Sequence, residues 1–560
     1  MAPVWMLPLA LSMGGCSREL QDPAPLIDSP FTSWTDQVTS RIRAGLPGAR
    51  VREGSFWYLK QEDCGPIVLE NGTCHGAHPA SPYGMFDYPE DAEASDEILD
   101  YDLDQHEALL FVGHTPPESR YFSFNHHQYR KAMPDGSERI TFATMAPAMH
   151  LLELSTASSL LAPGEMRDLS EVVWQDYTVV IFTANQTTAD RLRGLLTPIL
   201  VEAGYSPDII NVHTIALANQ ADHDALIASG MDPSDVFTLN MGYGPGTDTY
   251  NVVMRVAATL DPEDPYLFPE TINAATFKIA FEDPPGYDPF PWPVFPPPDE
   301  TGEEQARRVR SAQEAVFRAL QEQIIPPELQ TVEVETFREP QKTGAECINL
   351  LDSCGANNDD ARYHRSSQRF YIPEPHDPAS VFLVGINHTK VAKLDPGAPQ
   401  ITYMSLTLNN FTRGFGVRTR LDHELEGSLE YWFDPEDLPE DFNLGKDELD
   451  SIYVVQFARD CSVFNWEDRY GAPNPYCVEF DDGIVGICPL DKFWFTERVY
   501  LNQTSGTAPA QTSVYPPLTL GVGPSISFVD AGLAVGGWTL SDPPQPAPSE
   551  GYWCSPGGGG

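Results

Sequence analysis

The sequence predicts a β-rich α+β protein of two domains, each a mostly antiparallel sheet or sandwich with one or two helices. Three observations predict this. Short runs of aromatic and aliphatic residues, bounded by turn residues, recur in both halves of the 560-residue chain. Helical periodicity is confined to two stretches. A proline-rich break separates the halves. With 41% hydrophobic composition the chain can fill real cores, and at this length it exceeds one ordinary domain.

The strand runs come first. EALLFVG (107–113), RYFSFN (120–125) and ERITFAT (138–144) have this character in the first half. SVFLVGI (380–386), ITYMSLTL (401–408) and SIYVVQFA (451–458) repeat it in the second. Between YTVVIFTA (177–184) and DIINVHTI (208–215) lies a helical face made by Leu192, Leu195, Leu196, Ile199, Leu200 and Ala203. The three together predict a β-α-β unit. Thr187 and Asp190 suggest a capping box, Gly204 a stop, and Pro198 a kink or a late start. A second helix is expected from Thr301, with Glu304 completing a capping box, to just before Pro326.

The break spans 283–299, where eight of seventeen residues are proline. Proline fixes φ and lacks a donor, so this segment suits a connector better than a central strand. The expected organisation is a signal peptide over 1–16, a tether over 17–30 and a first domain over 31–282. A connector over 283–300, a second domain over 301–545 and a Pro/Gly-rich tail over 546–560 follow.

Residues 2–15 are uncharged and apolar, and too short to span a bilayer. They end at Met13-Gly14-Gly15-Cys16, which resembles the lipobox of bacterial lipoproteins. That resemblance implies export, acylation of Cys16 and anchorage to the cell envelope, in the outer membrane or at the surface. The alternative is an unlipidated signal peptide. Removing Cys16 from nine cysteines leaves eight, an even number suited to disulfides in an oxidising compartment. Cys64 with Cys74, and Cys347 with Cys354, read as local bridges. Cys461, Cys477, Cys488 and Cys554 supply two more, whose pairing the sequence leaves open. No C-x-x-C occurs, which disfavours a structural zinc site.

The net charge is −47, so nucleic acid is not an expected partner. Residues 87–107 hold ten carboxylates and no Lys or Arg. Asp100, Asp102 and Asp104 would share one face of a strand, or could wrap Ca²⁺ from a loop. The EF-hand pattern is not met, because Gln105 and Phe111 stand where its Gly and closing Glu belong. A solvated acidic loop is the simpler reading.

The halves also share strings. LLFVGHT then RYFSF precedes VFLVGINHT then TYMSL, matching His114 with His388, Tyr121 with Tyr403 and Ser123 with Ser405. The same order continues with YNVVMRVA (250–257) against YVVQFARD (453–460). The expectation is an internal duplication with an insertion in the second copy. Two copies packed about a pseudo-two-fold axis would put equivalent residues across one cleft. His114 and His388, with His126 or His127, could then bind a transition metal and leave one position open. The simpler reading is histidines bonded at strand ends. The strand RYFSF after VGHTPP resembles the R-[YF]-[FW]-S-[FVL] strand of an uncharacterised bacterial envelope protein family. The run ERVYLNQTSGTAPA (497–510) is similar to endings of such a group. The resemblance implies a β-rich fold and supplies no activity.

No G-x-S-x-G, H-E-x-x-H or phosphate-cradling loop occurs, and catalytic residues stay unassigned. The expected function is a non-catalytic binding or structural lipoprotein, with the membrane touched only through its lipid and a protein or small molecule as ligand. The alternative is a metal-dependent enzyme with the histidine site. No cofactor is established; Ca²⁺ or a transition metal is the candidate.

Overall fold

Each half opens with a helix, followed by an extended segment that passes from one sheet into another. The computed structural model describes residues 32–71, 74, 76–88, 100–215, 220–233, 236–259, 273–290, 303–338, 344–351, 354, 358, 360–371, 379–394, 400–433, 449–464, 473–488, 491–509, 513–523 and 527–530. It is β-rich, 40% strand and 23% helix. The first half runs α1 (Thr32–Arg43), β1 (Ala49–Leu59), α2 (Cys64–Asn71), β2 (Tyr83–Asp87), β3 (Ala108–His114), β4 (Ser119–Ala132), β5 (Glu138–Thr144) and β6 (Met149–His150). It continues through β7 (Tyr177–Thr183), α3 (Gln186–Glu202), β8 (Ile210–Thr214), α4 (Gln220–Ala228), β9 (Thr249–Thr259) and β10 (Ala274–Phe281). The second half runs α5 (Glu303–Ala319), β11 (Thr331–Val334), β12 (Thr336–Arg338), α6 (Gly344–Leu350), β13 (Ala361–Ser366), β14 (Gln368–Tyr371), β15 (Ser380–Ile386) and α7 (His388–Leu394). It ends with β16 (Ile401–Asn410), β17 (Phe415–Leu421), α8 (Ser428–Trp432), β18 (Ile452–Ala458), β19 (Cys477–Glu479), β20 (Phe493–Asn502), β21 (Leu518–Val522) and β22 (Ser527–Asp530).

Residues Ala49–Gly54 of β1 pair with β10 and Ser55–Leu59 pair with β2. One sheet therefore has the order β5-β4-β9-β2-β1 and the other β1-β10-β3-β7-β8. In the second half the corresponding orders are β17-β16-β20-β13-β12 and β11-β21-β15-β18-β19. There the shared strand is interrupted at Glu335, giving β11 and β12. Among the described strands, pairing is antiparallel except for β7 with β8 and β18 with β19. β6 adds to the edge of β4, while β14 continues β13 along β20 and brings in β22.

Burial follows from this layering. β3 (ALLFVGH) is buried along its whole length, as a strand covered on both faces must be. Leu109 and Phe111 face the other sheet with Phe56, Phe86 and Phe182. Ala108, Leu110 and Val112 face Val38 and Ile42 of α1 and Leu192, Leu196 and Leu200 of α3. β15 divides the same way. Val381 and Leu383 face the sheet opposite, and Phe382, Val384 and Ile386 meet Val309 and Val316 of α5. Each such side chain contributes about 1.5–3 kcal/mol on full burial.

The predicted β-α-β unit is β7, α3 and β8, with the strands parallel. Its cap differs from the expectation. Asn185, not Thr187, accepts from the amides of Thr187 and Thr188, because it is the residue still in extended geometry before the first turn. Pro198 sits inside the helix, and Gly204 follows its end with φ +88°. Between β18 and β19 the described residues form a short 3-10 turn, Cys461–Phe464, and Cys461 is bridged to Cys477. Cys64–Cys74 and Cys347–Cys354 form as expected. Cys488 is also disulfide-bonded, and Cys554 lies outside the described residues, as do Cys16 and the tether.

The halves grip each other reciprocally. On either side of α2, the first half bonds the second at β17: Gln61 Nε2 donates to the carbonyls of Gly416 (3.1 Å) and Val417 (2.7 Å). Gly416 N donates to Ala77 O at 2.8 Å. After α6, the second half bonds the first at β5, with Cys354 N donating to Thr141 O at 2.8 Å. Gly344 lies so close to Thr144 that a Cβ would collide with its carbonyl. Two buried clusters draw side chains from both halves. The connector's start, Asp283–Pro289, bonds to Gln186, Arg191 and Asn185 at the N-terminal part of α3.

Candidate functional site

The four predicted histidines are each engaged locally. His114 ends β3, its Nδ1 3.4 Å from the Asn273 carbonyl and its ring edge-on to Tyr177. His126 Nε2 lies 3.0 Å from the Tyr101 hydroxyl, and His127 Nδ1 3.2 Å from Asn251 Oδ1. Burial holds His114 below the usual imidazole range and His126 far below it. His388 begins α7 and meets the Tyr515 carbonyl at 3.3 Å. Gly113 and Gly385 occupy the same register position, so the equivalent of His114 is Ile386 and His388 falls two residues later. Among the described residues no three His, Cys, Asp or Glu side chains are grouped as metal ligands.

The acidic triplet is also dispersed. Asp100 accepts from Thr249 Oγ1 at 2.6 Å and lies 3.6 Å from Arg130 Nε. The Asp102 carbonyl accepts from Lys278. Asp104 Oδ1 accepts from the amide of His106 at 2.9 Å. Between them Tyr101 and Leu103 bridge to Tyr250 and Gly242 with their side chains buried. The segment is thus extended, not wrapped.

What the two halves do bring together is a pair of arginines. Arg255 on β9 is flanked by Ser123 on β4 and Tyr83 on β2. Arg498 on β20 is flanked by Ser405 on β16 and Tyr363 on β13. The same three residue types occupy the same register positions. Each guanidinium lies over its neighbouring ring, Arg255 at 6.0 Å from the Tyr83 centroid and Arg498 at 5.9 Å from that of Tyr363. Arg255 Nη1 also crosses between the halves to donate to the Tyr363 hydroxyl at 3.3 Å. Tyr500 stacks obliquely on Tyr121 and Tyr403, with centroids 4.8 and 5.2 Å away.

The floor of this cluster is buried and polar. Tyr121 donates to Asp360 Oδ2 at 2.5 Å and accepts from Asn358 Nδ2 at 3.0 Å. Burial pushes the Asp360 carboxyl up to about 6. Arg498 Nη1 donates to Thr407 Oγ1 at 2.9 Å, and His78 Nε2 lies 2.8 Å from the same oxygen. Burial, then the positive charges of Arg498 and Arg255, hold His78 well below the usual imidazole range. Arg255 is 6% exposed. Tyr83, Tyr363 and Arg498 are half-buried and make the solvent-facing side. Such an arrangement can hold negative charge; it lacks a nucleophile activated by a base.

Behind Arg498, on the other face of β20, Glu497 is fully enclosed. His364 Nδ1 lies 2.5 Å from its Oε2, and Tyr453 donates to its Oε1 at 2.7 Å. Burial pushes Glu497 up to about 7. Neither arginine is among the site residues predicted from the sequence. The signal was available: a buried-strand Arg among apolar residues in VVMRVA, and an Arg beside Glu497 in ERVY. Setting YNVVMRVA against YVVQFARD obscured it, because β9 corresponds in sheet order to β20, whereas 453–460 lie on and after β18.

No protein-family model matches the sequence, and no curated protein matches it either. Among solved structures, the chain is similar to a protein from Vibrio parahaemolyticus, with 9% identity and a TM-score of 0.32 over 87% of this chain and 96% of that one. It is also similar to an uncharacterised protein from Burkholderia cenocepacia, with 11% identity and a TM-score of 0.29 over 90% of this chain and 91% of that one.

Proposed function

We propose that the chain is an exported cell-envelope lipoprotein, anchored through Cys16, that acts as a binding module with its ligand where the two halves meet. We further propose that the halves descend from one duplicated unit. The observation that carries the reading is the pairing of Arg255 with Arg498, each set between a Tyr and a Ser at matching register positions. Two like charges brought together in a half-desolvated cleft repel each other, and a ligand of opposite charge relieves that cost. Shared strand order favours the duplication. Three intrachain disulfides fit an oxidising compartment outside the cytoplasm.

Native mass spectrometry of protein purified from its own envelope tests the binding reading. A small-molecule adduct is expected on the wild type and absent from Arg498→Gln. Identical adduct-free masses for both would overturn it. Cys16→Ser should move the protein from the membrane to the soluble exported fraction; a wild type already soluble and without lipid mass would remove the anchor.

A further inference from the structure

We infer that the Arg255/Arg498 cleft recognises an oxyanion, a carboxylate, phosphate or sulfate group, on a small ligand whose body lies against Tyr83 and Tyr363. The inference rests on the binding reading above and names the ligand's chemistry. Both guanidiniums touch the same phenol, Arg255 through its hydroxyl and Arg498 across its face. One centre thus receives a cation from each half. Among the described residues Arg498 forms no ion pair, and of its five N–H donors only one is bonded, to Thr407.

The wall beside it has donors to spare. The Tyr403 hydroxyl faces Ser405 and Ser81, but neither it nor Ser405 Oγ makes a well-formed hydrogen bond, although both residues are fully buried. Buried polar groups ordinarily find partners, and groups without one point to a missing acceptor. A guanidinium fork fits a planar oxyanion with two parallel bonds, which an ammonium cannot reproduce. The half-buried rings of Tyr83 and Tyr363 lie beside the two guanidiniums. They suit a ligand with an apolar or planar body behind its charged end. Asp360, the nearby carboxyl, is directed to Tyr121 and leaves the acceptor role at Arg498 open.

Thermal unfolding of the ligand-stripped full chain should be followed with inorganic phosphate, sulfate and benzoate, each against sodium chloride of equal ionic strength. At least one anion should raise the melting temperature beyond the chloride control. A phosphate or sulfate response identifies the charged group as sufficient; a larger benzoate response assigns the ring a share. Arg498→Gln should weaken the effective anion by about 10- to 100-fold, and Arg498→Lys should retain part of it. Circular dichroism of both variants checks that they fold. No response to any anion, or an undiminished response in Arg498→Gln, overturns the inference. An arginine-dependent native adduct alongside silent anions defeats the oxyanion assignment alone. Silence in both experiments defeats the binding reading as well.

Discussion

The two halves share strand order and register but fill their interiors differently. Where the second half buries Glu497, His364 and Tyr453, the first has Met254, Gly84 and Thr178 at the matching positions. A Cβ on Gly84 would strike the ring of Phe56, so an aromatic ring takes the volume that His364 occupies in the other half. The described parts of the crossovers differ too: a seventeen-residue helix, α3, in one, and the Cys461–Cys477 disulfide in the other. Hydrogen-bond ladders and the alternation of inward residues define the frame, and either an apolar or an ionic filling satisfies it. The ionic filling depends on every partner being present, whereas the apolar one does not.

The sharpest break of this comparison is Glu497→Ala. It should cost about 3–5 kcal/mol, because His364 and Tyr453 lose their acceptor in a sealed site, whereas Met254→Leu in the first half should cost under about 1.5 kcal/mol. Denaturant unfolding of both variants measures this, and equal losses would erase the distinction. Next is the crossover. Removing the Cys461–Cys477 bridge by double Ser replacement should cost about 3 kcal/mol, read the same way.

The acid range separates the halves by sign. Between 4.5, the ordinary glutamate value, and about 7, folded Glu497 keeps a proton that the unfolded chain has lost. Its contribution to stability is therefore present at the low end and is lost as pH rises through that window. His213, in the first half, is held at about 4 by burial. Between about 4 and 6.5 the unfolded chain carries the proton and the folded one does not, so this contribution grows as pH rises. Unfolding midpoints across pH 4 to 8 should tilt upward in Glu497→Gln relative to wild type and downward in His213→Leu. Unchanged slopes would show that neither group titrates as its burial dictates. The smallest effect is expected from Asn185→Ala, about 1 kcal/mol, confined to protection of the first turn of α3 in hydrogen exchange.

Local pattern carried the sequence reading a long way. Short aromatic and aliphatic runs between turn residues marked β3, β4, β15 and β16, the apolar face of 187–204 gave α3, and short cysteine spacings gave two disulfides. What it missed depends on register between distant segments. Arg255 meets Ser123 across 132 positions, and Arg498 meets Tyr363 across 135. Nothing local to either arginine declares its neighbours. Histidines attracted attention because their chemistry is visible in isolation; His114 and His388 are nonetheless bonded to backbone carbonyls of Asn273 and Tyr515.

The reciprocal grip of the segments flanking α2 on β17 and of α6 on β5 has the form of a self-complementary contact, in which one surface serves twice. A single ancestral unit with that surface would have found its complement only in another molecule, at whatever concentration the compartment supplied. Joining two units in one chain turns that encounter into an intramolecular step, governed by linker reach instead of abundance. It also frees the halves from identity. A homodimer must change both copies of a residue at once, whereas under the proposed duplication Met254 and Glu497 were free to differ behind two matching arginines.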